Sequence, residues 1–178
     1  MAFSKIIAES MDLTDTFNFT GTLQQNGASI GGNNKPNFFA NHTASGGQSI
    51  PGSTMTVVNF TNEVFDTDNA YDGTNKFTPQ TAGKYFVYAQ TKVEAGADSL
   101  QFVQSSIYKN GSQYREQMHD ARNNNGLQFS VFVSAIVDMN GSSDYVEGYI
   151  KGFVTGGDLH SRSGTKSTSF GAFKIIGA

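Results

Sequence analysis

Apolar and polar residues alternate with a period of two along most of the chain after residue 34. Residues 84–93 and 127–137 show the alternation most clearly, and residues 145–153 continue it. The run 169–176 is apolar enough for a buried central strand. A period of two is typical of a β-strand whose two faces meet different surroundings. No helical spacing is evident from residue 35 onward, so the pattern predicts an all-β sandwich or jelly roll.

Two Asn-Gly pairs predict the tight turns of this sheet. Asn110-Gly111 separates a predicted strand at 99–108 from a returning strand at 113–119. Asn140-Gly141 separates the strands at 127–137 and 145–153. Asn-Gly provides the positive φ angles that a two-residue hairpin turn requires.

Residues 1–33 differ from the rest of the chain. Apolar side chains are scattered there without a sustained period, and a glycine-rich tract at 27–34 is typical of a flexible linker. We therefore predict a docking arm and linker over 1–33 and a head domain over 34–178, while a first strand plus loop within one domain is the alternative. The apolar residues expected to dock the arm are Phe3, Ile6, Ile7, Met11, Leu13, Phe17 and Phe19.

The composition adds a large aromatic content and few charges. The chain has 15 Phe and 7 Tyr, and only 15% of its residues are charged, against about 25% in an average soluble domain. Interface cores are depleted in charge and enriched in aromatics. A surface covered by partner subunits is therefore expected, and we place it on outward strand positions at Phe86, Tyr88, Phe132, Ile136, Tyr145 and Tyr149.

Other classes of function are disfavoured by what the sequence lacks. The net charge is −3 and no basic run occurs, so a nucleic-acid partner is not expected. Cysteine is absent, which excludes disulfides and thiol nucleophiles. No segment resembles a signal peptide or approaches the length of a membrane span, and we expect synthesis in a cytoplasm without membrane insertion.

A series of short motifs resembles the globular head of complement C-one-q, a relative of the tumour necrosis factor jelly roll. The motifs occur in the family's order over roughly 120 residues. Four departures occur: Asn75 stands at a usual Gly, Gln80 intervenes after Pro79, Val87 stands at a common Phe and Ala172 at a usual Gly. The matching segments are Phe60-Thr61-Asn62, Tyr71-Asp72-Gly73, Lys76-Phe77-Thr78-Pro79, Ala82-Gly83-Lys84-Tyr85-Phe86-Val87, Lys109-Asn110-Gly111, Asp144-Tyr145-Val146 and Ser169-Phe170-Gly171-Ala172-Phe173.

The resemblance implies a ten-stranded jelly-roll sandwich that assembles as a homotrimer. It does not imply a particular ligand, because one fold hosts many binding functions. The collagen-like Gly-X-Y stalk of complement proteins is not found in the sequence, which argues against an animal complement role.

The first residues, Ala2 to Asp15, resemble the opening of structural proteins of tailed phages, notably marine ones. That resemblance implies a virion protein, made in the host cytoplasm, whose arm binds capsid or tail proteins. The trimeric head would then decorate the capsid or form part of a tail fibre that contacts a glycan or protein of the host surface. The alternative is a secreted, soluble trimeric adhesin or cytokine-like ligand.

An enzyme is not expected. The three histidines, His42, His119 and His160, have no spacing that suggests a catalytic constellation, and no Gly-x-Ser-x-Gly motif occurs. A glycan-active enzyme on a jelly roll stays open as a third hypothesis. It would need a carboxylate pair drawn from Asp66, Asp68, Asp72 and Glu147.

Asp66, Asp68 and Asp72 form the best metal candidate. Calcium takes 6–8 oxygen ligands, and alternating carboxylates suit it, although the segment does not fit an EF-hand loop. The alternative is a solvated turn in which Asp and Asn bind their own backbone. No other cofactor is expected.

Two polar segments are candidates for receptor contact, because binding residues are often placed on loops. The segment 115–125, expected to be a loop, contributes Arg115, His119 and Arg122. The cationic segment 161–166 contributes Arg162 and Lys166. Plain solvent-facing connections are the alternative for both.

Overall fold

Every regular element in the described part of the chain is a β-strand. The structure is a computed structural model that describes residues 24–25, 28–29, 34–43, 45–97, 99–164 and 166–176. The chain divides into two units, residues 1–32 and 33–178. In the first unit, β1 (Gln24–Gln25) pairs antiparallel with β2 (Ala28–Ser29). The predicted role of residues 1–33 as a docking arm stays a prediction.

The second unit contains eleven described strands, close to the ten predicted. They are β3 (Asn37–Asn41), β4 (Thr56–Val57), β5 (Asn62–Asp66), β6 (Lys76–Phe77), β7 (Gly83–Ala95), β8 (Leu100–Lys109), β9 (Ser112–Asp120), β10 (Gln128–Met139), β11 (Val146–Val154), β12 (Leu159–Ser161) and β13 (Ser169–Lys174).

These strands form two antiparallel sheets. In the first sheet the order is β10-β7-β13-β3-β5, and β12 also pairs with β7. In the second sheet the order is β4-β11-β8-β9, and β6 also pairs with β11. Sequence neighbours such as β7 and β8 lie in different sheets, as expected of a jelly roll. The predicted all-β jelly-roll sandwich is confirmed.

The core lies between the sheets and is built from the inward residues of the alternating strands. On β7, the residues Tyr85, Val87, Ala89, Thr91 and Val93 are all buried, as the period of two predicts. Aromatic rings fill the centre: Phe38 stacks on Tyr71 at 4.7 Å and on Phe77 at 4.5 Å between centroids, and Phe170 meets its edge at 5.0 Å. The inward face of each sheet is therefore buried in the core, and the outward face of each sheet is available for other contacts.

The buried tyrosines keep their hydroxyls paired. Tyr71 Oη donates to the Phe60 carbonyl at 2.9 Å, and Tyr85 Oη donates to the Thr81 carbonyl at 2.7 Å. Burial raises the pKa of Tyr85 to about 12, with a further contribution from Asp68. Both hydroxyls therefore stay neutral and satisfied at physiological pH.

The Asn110-Gly111 turn forms as predicted, with φ angles of 51° and 75°. Asn110 Oδ1 accepts from the backbone N–H of Tyr145 at 3.0 Å, and its Nδ2 donates to Asp144 at 2.8 Å. The hairpin between β8 and β9 is thus fixed both by backbone conformation and by a side chain that ties it to the start of β11.

Candidate functional site

A row of aromatic rings crosses the outward face of the first sheet. We name Phe39, Phe65, Phe86, Tyr88, Phe132, Ile136 and Phe173 the aromatic face. The centroids run from Phe65 to Phe39 at 6.3 Å and from Phe39 to Tyr88 at 6.5 Å. Tyr88 then contacts Phe132 at 6.2 Å and Phe86 at 5.9 Å, and Phe86 contacts Phe173 at 5.4 Å. One connected aromatic surface therefore spans β5, β3, β13, β7 and β10.

This surface is exposed in the single chain. Ile136 is 56% exposed, Phe132 51% and Phe65 47%. Ile136 pairs in register with Phe86, so the two side chains lie next to each other. Single exposed apolar residues are ordinary, but a contiguous patch of this kind marks an interaction site.

Charges lie at the rim of the aromatic face. Lys84 and Asp138, which pair across β7 and β10, form an ion pair at 3.4 Å. Two residues further along these strands the cross-strand pair is Phe86 and Ile136. An apolar centre with a polar rim is the usual anatomy of a protein interface.

Four of the six predicted interface residues lie on the aromatic face: Phe86, Tyr88, Phe132 and Ile136. The other two, Tyr145 and Tyr149, do not, because Tyr149 lies on β11, Tyr145 directly precedes β11, and this strand belongs to the second sheet. Sequence reasoning also missed Phe39, Phe65 and Phe173, which complete the row. They occur in short strands where alternation covers too few residues to assign a face.

Tyr145 and Tyr149 instead form a second surface, on the outward side of the second sheet. Tyr149 stacks on Tyr108 with centroids 3.9 Å apart, and the ammonium of Lys76 lies 4.2 Å from the Tyr145 ring centroid. Between them stands Glu147, which is 8% exposed. We name these five residues the tyrosine patch.

Ionisation in the tyrosine patch is shifted. Burial raises the pKa of Glu147, with Asp72 adding to the rise and Lys76 opposing it. Burial also raises the pKa of Tyr149, helped by the negative charge of Glu147. A mostly buried carboxylate beside aromatic rings is a strong hydrogen-bond acceptor in a partly desolvated setting.

The predicted receptor residues are spread over several elements. The prediction that Arg115 and His119 lie in a loop is wrong, because both belong to strand β9. The returning strand predicted at 113–119 after the Asn110-Gly111 turn is the one that forms. Arg122 does follow the strand; it binds Asp120 through two donors and lowers the pKa of that carboxyl to about 2. The His119 ring lies 4.3 Å from that of Phe129.

An ion pair and a backbone hydrogen bond hold the start of the cationic segment that follows β12. Arg162 Nε lies 2.8 Å from Glu94 Oε2, and the Arg162 N–H donates to the Lys92 carbonyl at 2.7 Å. Lys166 is exposed in the following turn. The structure therefore does not bring Arg162 and Lys166 together with Arg115, His119 and Arg122 on one element, and receptor contact by these residues stays a prediction.

Two of the three candidate calcium ligands, Asp66 and Asp72, accept hydrogen bonds from backbone groups of their own turns, and the third, Asp68, accepts one from the Thr67 hydroxyl at 2.6 Å. Asp66 accepts from the N–H groups of Asp68 at 3.2 Å and Tyr71 at 2.7 Å. Asp72 Oδ1 accepts from Thr74, Asn75 and Lys76 at 2.8 to 3.0 Å. Within the described residues, no three His, Asp or Glu side chains are grouped as they would be around a metal ion. Calcium binding stays a prediction, which melting curves with calcium or a chelator would test.

The remaining candidates are placed as follows. His42 is buried, with Nδ1 2.6 Å from the Asn59 carbonyl oxygen, and His160 lies on β12. The predicted docking residues, Phe3 to Phe19, lie outside the described residues. Across the described ranges there is also no helix with the length and apolar character needed to cross a membrane.

Solved structures share this fold at low sequence identity. The globular domain of zebrafish complement 1qA aligns with a TM-score of 0.55 and 16% identity, covering 80% of this chain and 98% of that chain. Murine APRIL at pH 5.0 aligns with a TM-score of 0.56 and 11% identity, covering 78% and 99%. No family model matches the sequence, and no curated protein matches it. The architecture is thus that of the complement and tumour necrosis factor-like jelly rolls.

Proposed function

We propose that this chain is a binding module without catalytic activity that assembles as a homotrimer through its aromatic face. The observation that carries the proposal is the connected row of exposed rings from Phe65 to Phe132. Burying one such ring contributes roughly 1.5–3 kcal/mol. Several rings per subunit, repeated around an axis, are enough to offset an association cost of about 4–15 kcal/mol.

A trimer is the assembly that the sequence resemblance implies. In a ring of three copies each interface is heterologous, so the aromatic face of one copy meets a different surface of the next. At the β10 edge the aromatic face continues into an open cavity of about 560 Å³, where Tyr114, Arg115, Ser134 and Ala135 join Phe86 and Ile136 of the face. The side chains of this cavity outside the aromatic face are candidates for the second surface.

Sedimentation velocity over a broad dilution range tests the assembly. The expected species has three times the 19.1 kDa mass of one chain. Ile136→Asp should shift it to a folded single chain, because a charge would be buried within the interface. Phe153→Asp is the matched control: Phe153 is also exposed, but lies on β11 of the second sheet. A wild-type single chain at all concentrations would refute the trimer.

We further propose that the trimer belongs to a virus particle, with residues 1–33 as the arm that binds capsid or tail proteins and the head projecting toward the host surface. The support is the likeness of Ala2 to Asp15 to the opening of tailed-phage structural proteins. Deletion of residues 2–30 should leave a folded trimer that no longer joins particles. Incorporation at normal occupancy would contradict this role.

A free, secreted adhesin or ligand is the competing function, and the complement and tumour necrosis factor-like fold is consistent with it. The two functions differ in where the protein is found. Mass spectrometry of purified particles against culture supernatant distinguishes them, because a particle component co-purifies at fixed stoichiometry while a free ligand does not.

A further inference from the structure

Glu147 is a buried carboxylate without a partner. It is 8% exposed, and only burial and charge interactions with Lys76 and Asp72 act on its ionisation. Within the described part of the chain, no hydrogen bond or ion pair reaches its oxygens. Among the described residues, the side-chain atoms that are both sealed from water and unpaired do not include its oxygens. These oxygens therefore reach solvent and are free to accept hydrogen bonds from a ligand.

The strand register places four side chains around this carboxylate. Glu147 pairs with Tyr108 of β8 on one side and with Lys76 of β6 on the other. Tyr145 and Tyr149 lie two residues before and after it, on the same side of the chain because strand side chains alternate. Glu147 is therefore flanked by three phenol rings and one ammonium group on the outward side of the second sheet.

We propose that the tyrosine patch binds a neutral saccharide. Phenol rings offer flat apolar faces for the C–H face of a sugar and keep a polar hydroxyl at the edge. The carboxylate of Glu147 only accepts hydrogen bonds and the ammonium of Lys76 only donates them, so together they match a pair of sugar hydroxyls. Tyrosine also supplies contact area at a low cost in conformational entropy.

The charges of the patch favour a neutral ligand over an ionic one. An organic cation would compete with Lys76, whose ammonium already lies 4.2 Å from the Tyr145 centroid. An anionic sugar would be repelled by Glu147 and by Asp72, whose charge already acts on Glu147. Neutral hydroxyls meet neither penalty and gain charge-assisted hydrogen bonds.

The saccharide site rests on the proposed function, because it gives the head domain a ligand on the host surface. It is also compatible with assembly through the aromatic face, because the two surfaces lie on different sheets. The aromatic face belongs to the first sheet and the tyrosine patch to the second. Assembly through one outward face leaves the other in solvent. Three copies would then present three patches, and the avidity of a multivalent surface would strengthen weak single contacts.

The test uses the full-length protein and defined probes. Methyl α-D-glucopyranoside, methyl α-D-mannopyranoside and methyl β-D-galactopyranoside are titrated by calorimetry and by saturation-transfer NMR, and a glycan array supplies multivalent neutral and sialylated chains. We expect a neutral glycan to bind and Glu147→Gln to weaken it about tenfold or more, as the loss of a hydrogen bond to a charged group implies. Tyr149→Ala should also lose binding.

Stability separates a binding role from a structural one. Glu147→Gln removes a buried charge that has no partner, so its melting temperature should be equal to or above that of the wild type. Glu63→Gln, an exposed carboxylate on β5 of the other sheet, is the matched control and should change neither binding nor melting.

Three results would overturn the proposal: no neutral glycan bound by the wild type in either format, binding unchanged in Glu147→Gln, or binding of tetramethylammonium instead of glycosides. Sedimentation of the same samples distinguishes this failure from failure of the proposed function. A trimer that binds no glycan contradicts only the saccharide site, while a lone subunit contradicts the assembly.

Discussion

The ring of Tyr88 lies over Gly171 on the neighbouring strand. The two residues pair in register between β7 and β13. A β-carbon at position 171 would lie 2.5 Å from Tyr88 Oη and 2.6 Å from its Cζ. Burial in this position raises the pKa of Tyr88. Glycine is therefore what allows Tyr88 to lie flat and connect Phe39 with Phe86 and Phe132 in the aromatic face.

Gly171→Ala should displace the Tyr88 ring and weaken assembly while the single chain still folds. Overpacking of this kind costs about 1–3 kcal/mol. Urea denaturation would measure the free energy of unfolding, and sedimentation would measure association. Gly156→Ala is the control, since nothing lies within 4 Å of its added methyl group. Equal association of the two variants would argue that Tyr88 plays no part in the interface.

Gly111→Ala should destabilise the β8–β9 hairpin. Gly111 has a φ of 75°, and an L-residue in the left-handed region costs about 1–2 kcal/mol. Its added β-carbon would meet only Tyr145 Oη at 3.5 Å, so the loss would come from the backbone and not from a clash. Chemical denaturation should show the loss for Gly111→Ala and none for Gly52→Ala, an open position without a positive φ.

Phe38→Ala should cost about 3–5 kcal/mol, the usual loss for a deleted core ring. Phe38 is 1% exposed and contacts the rings of Tyr71, Phe77 and Phe170. Thermal unfolding would reveal the change. The same substitution at Phe153, which is 38% exposed on the second sheet, should cost much less; similar losses at both sites would contradict the assigned core.

Stability should fall as the pH drops below about 4, partly through Asp72. Burial acts to raise the pKa of this carboxyl, but hydrogen bonds from the N–H groups of Lys76, Asn75 and Thr74 outweigh it and lower the pKa below its usual 3.8. Because the folded-state pKa is the lower one, the stabilisation is complete above the unfolded-state value and is lost as the pH falls through the folded value.

Asp72→Asn would test this contribution. The variant should unfold with a weaker dependence on pH between pH 5 and 2 than the wild type, when the free energy of unfolding is followed by circular dichroism. Asp158→Asn, an exposed carboxylate for which no such backbone contacts are found among the described residues, serves as the comparison. If the free energy of unfolding varied with pH in parallel for Asp72→Asn and the wild type, the Asp72 turn would be excluded as a source of the acid destabilisation.

The sequence predicted features set by near neighbours better than those set by sheet topology. The face of β7 that enters the core follows from alternation over residues 84–93, and the Asn110-Gly111 turn follows from local conformational preference. The position of Tyr149 illustrates the limit. Alternation shows that it points outward on β11, but the sheet to which β11 belongs depends on pairing with β8, a segment some 40 residues away. Periodicity does not contain that information.

The candidate sites show the same limit. In the sequence Glu147 is only one of several carboxylates. Its surroundings depend on Lys76 and Tyr108, which two other strands place beside it. In the sequence Gly171 belongs to a motif that resembles the complement family, but no local pattern connects it with Tyr88. Residue type indicated what chemistry was available, and the register decided which groups meet.

The placement of β13 between β3 and β7 has a consequence for biosynthesis. As residues leave the ribosome, β3 and β7 emerge long before the segment that must join them, and until then each has an unpaired strand edge. The first sheet therefore closes late, after translation has passed residue 174, and pairing over such a separation is slow. Nascent chains halted before Ser169 should be the aggregation-prone species during synthesis.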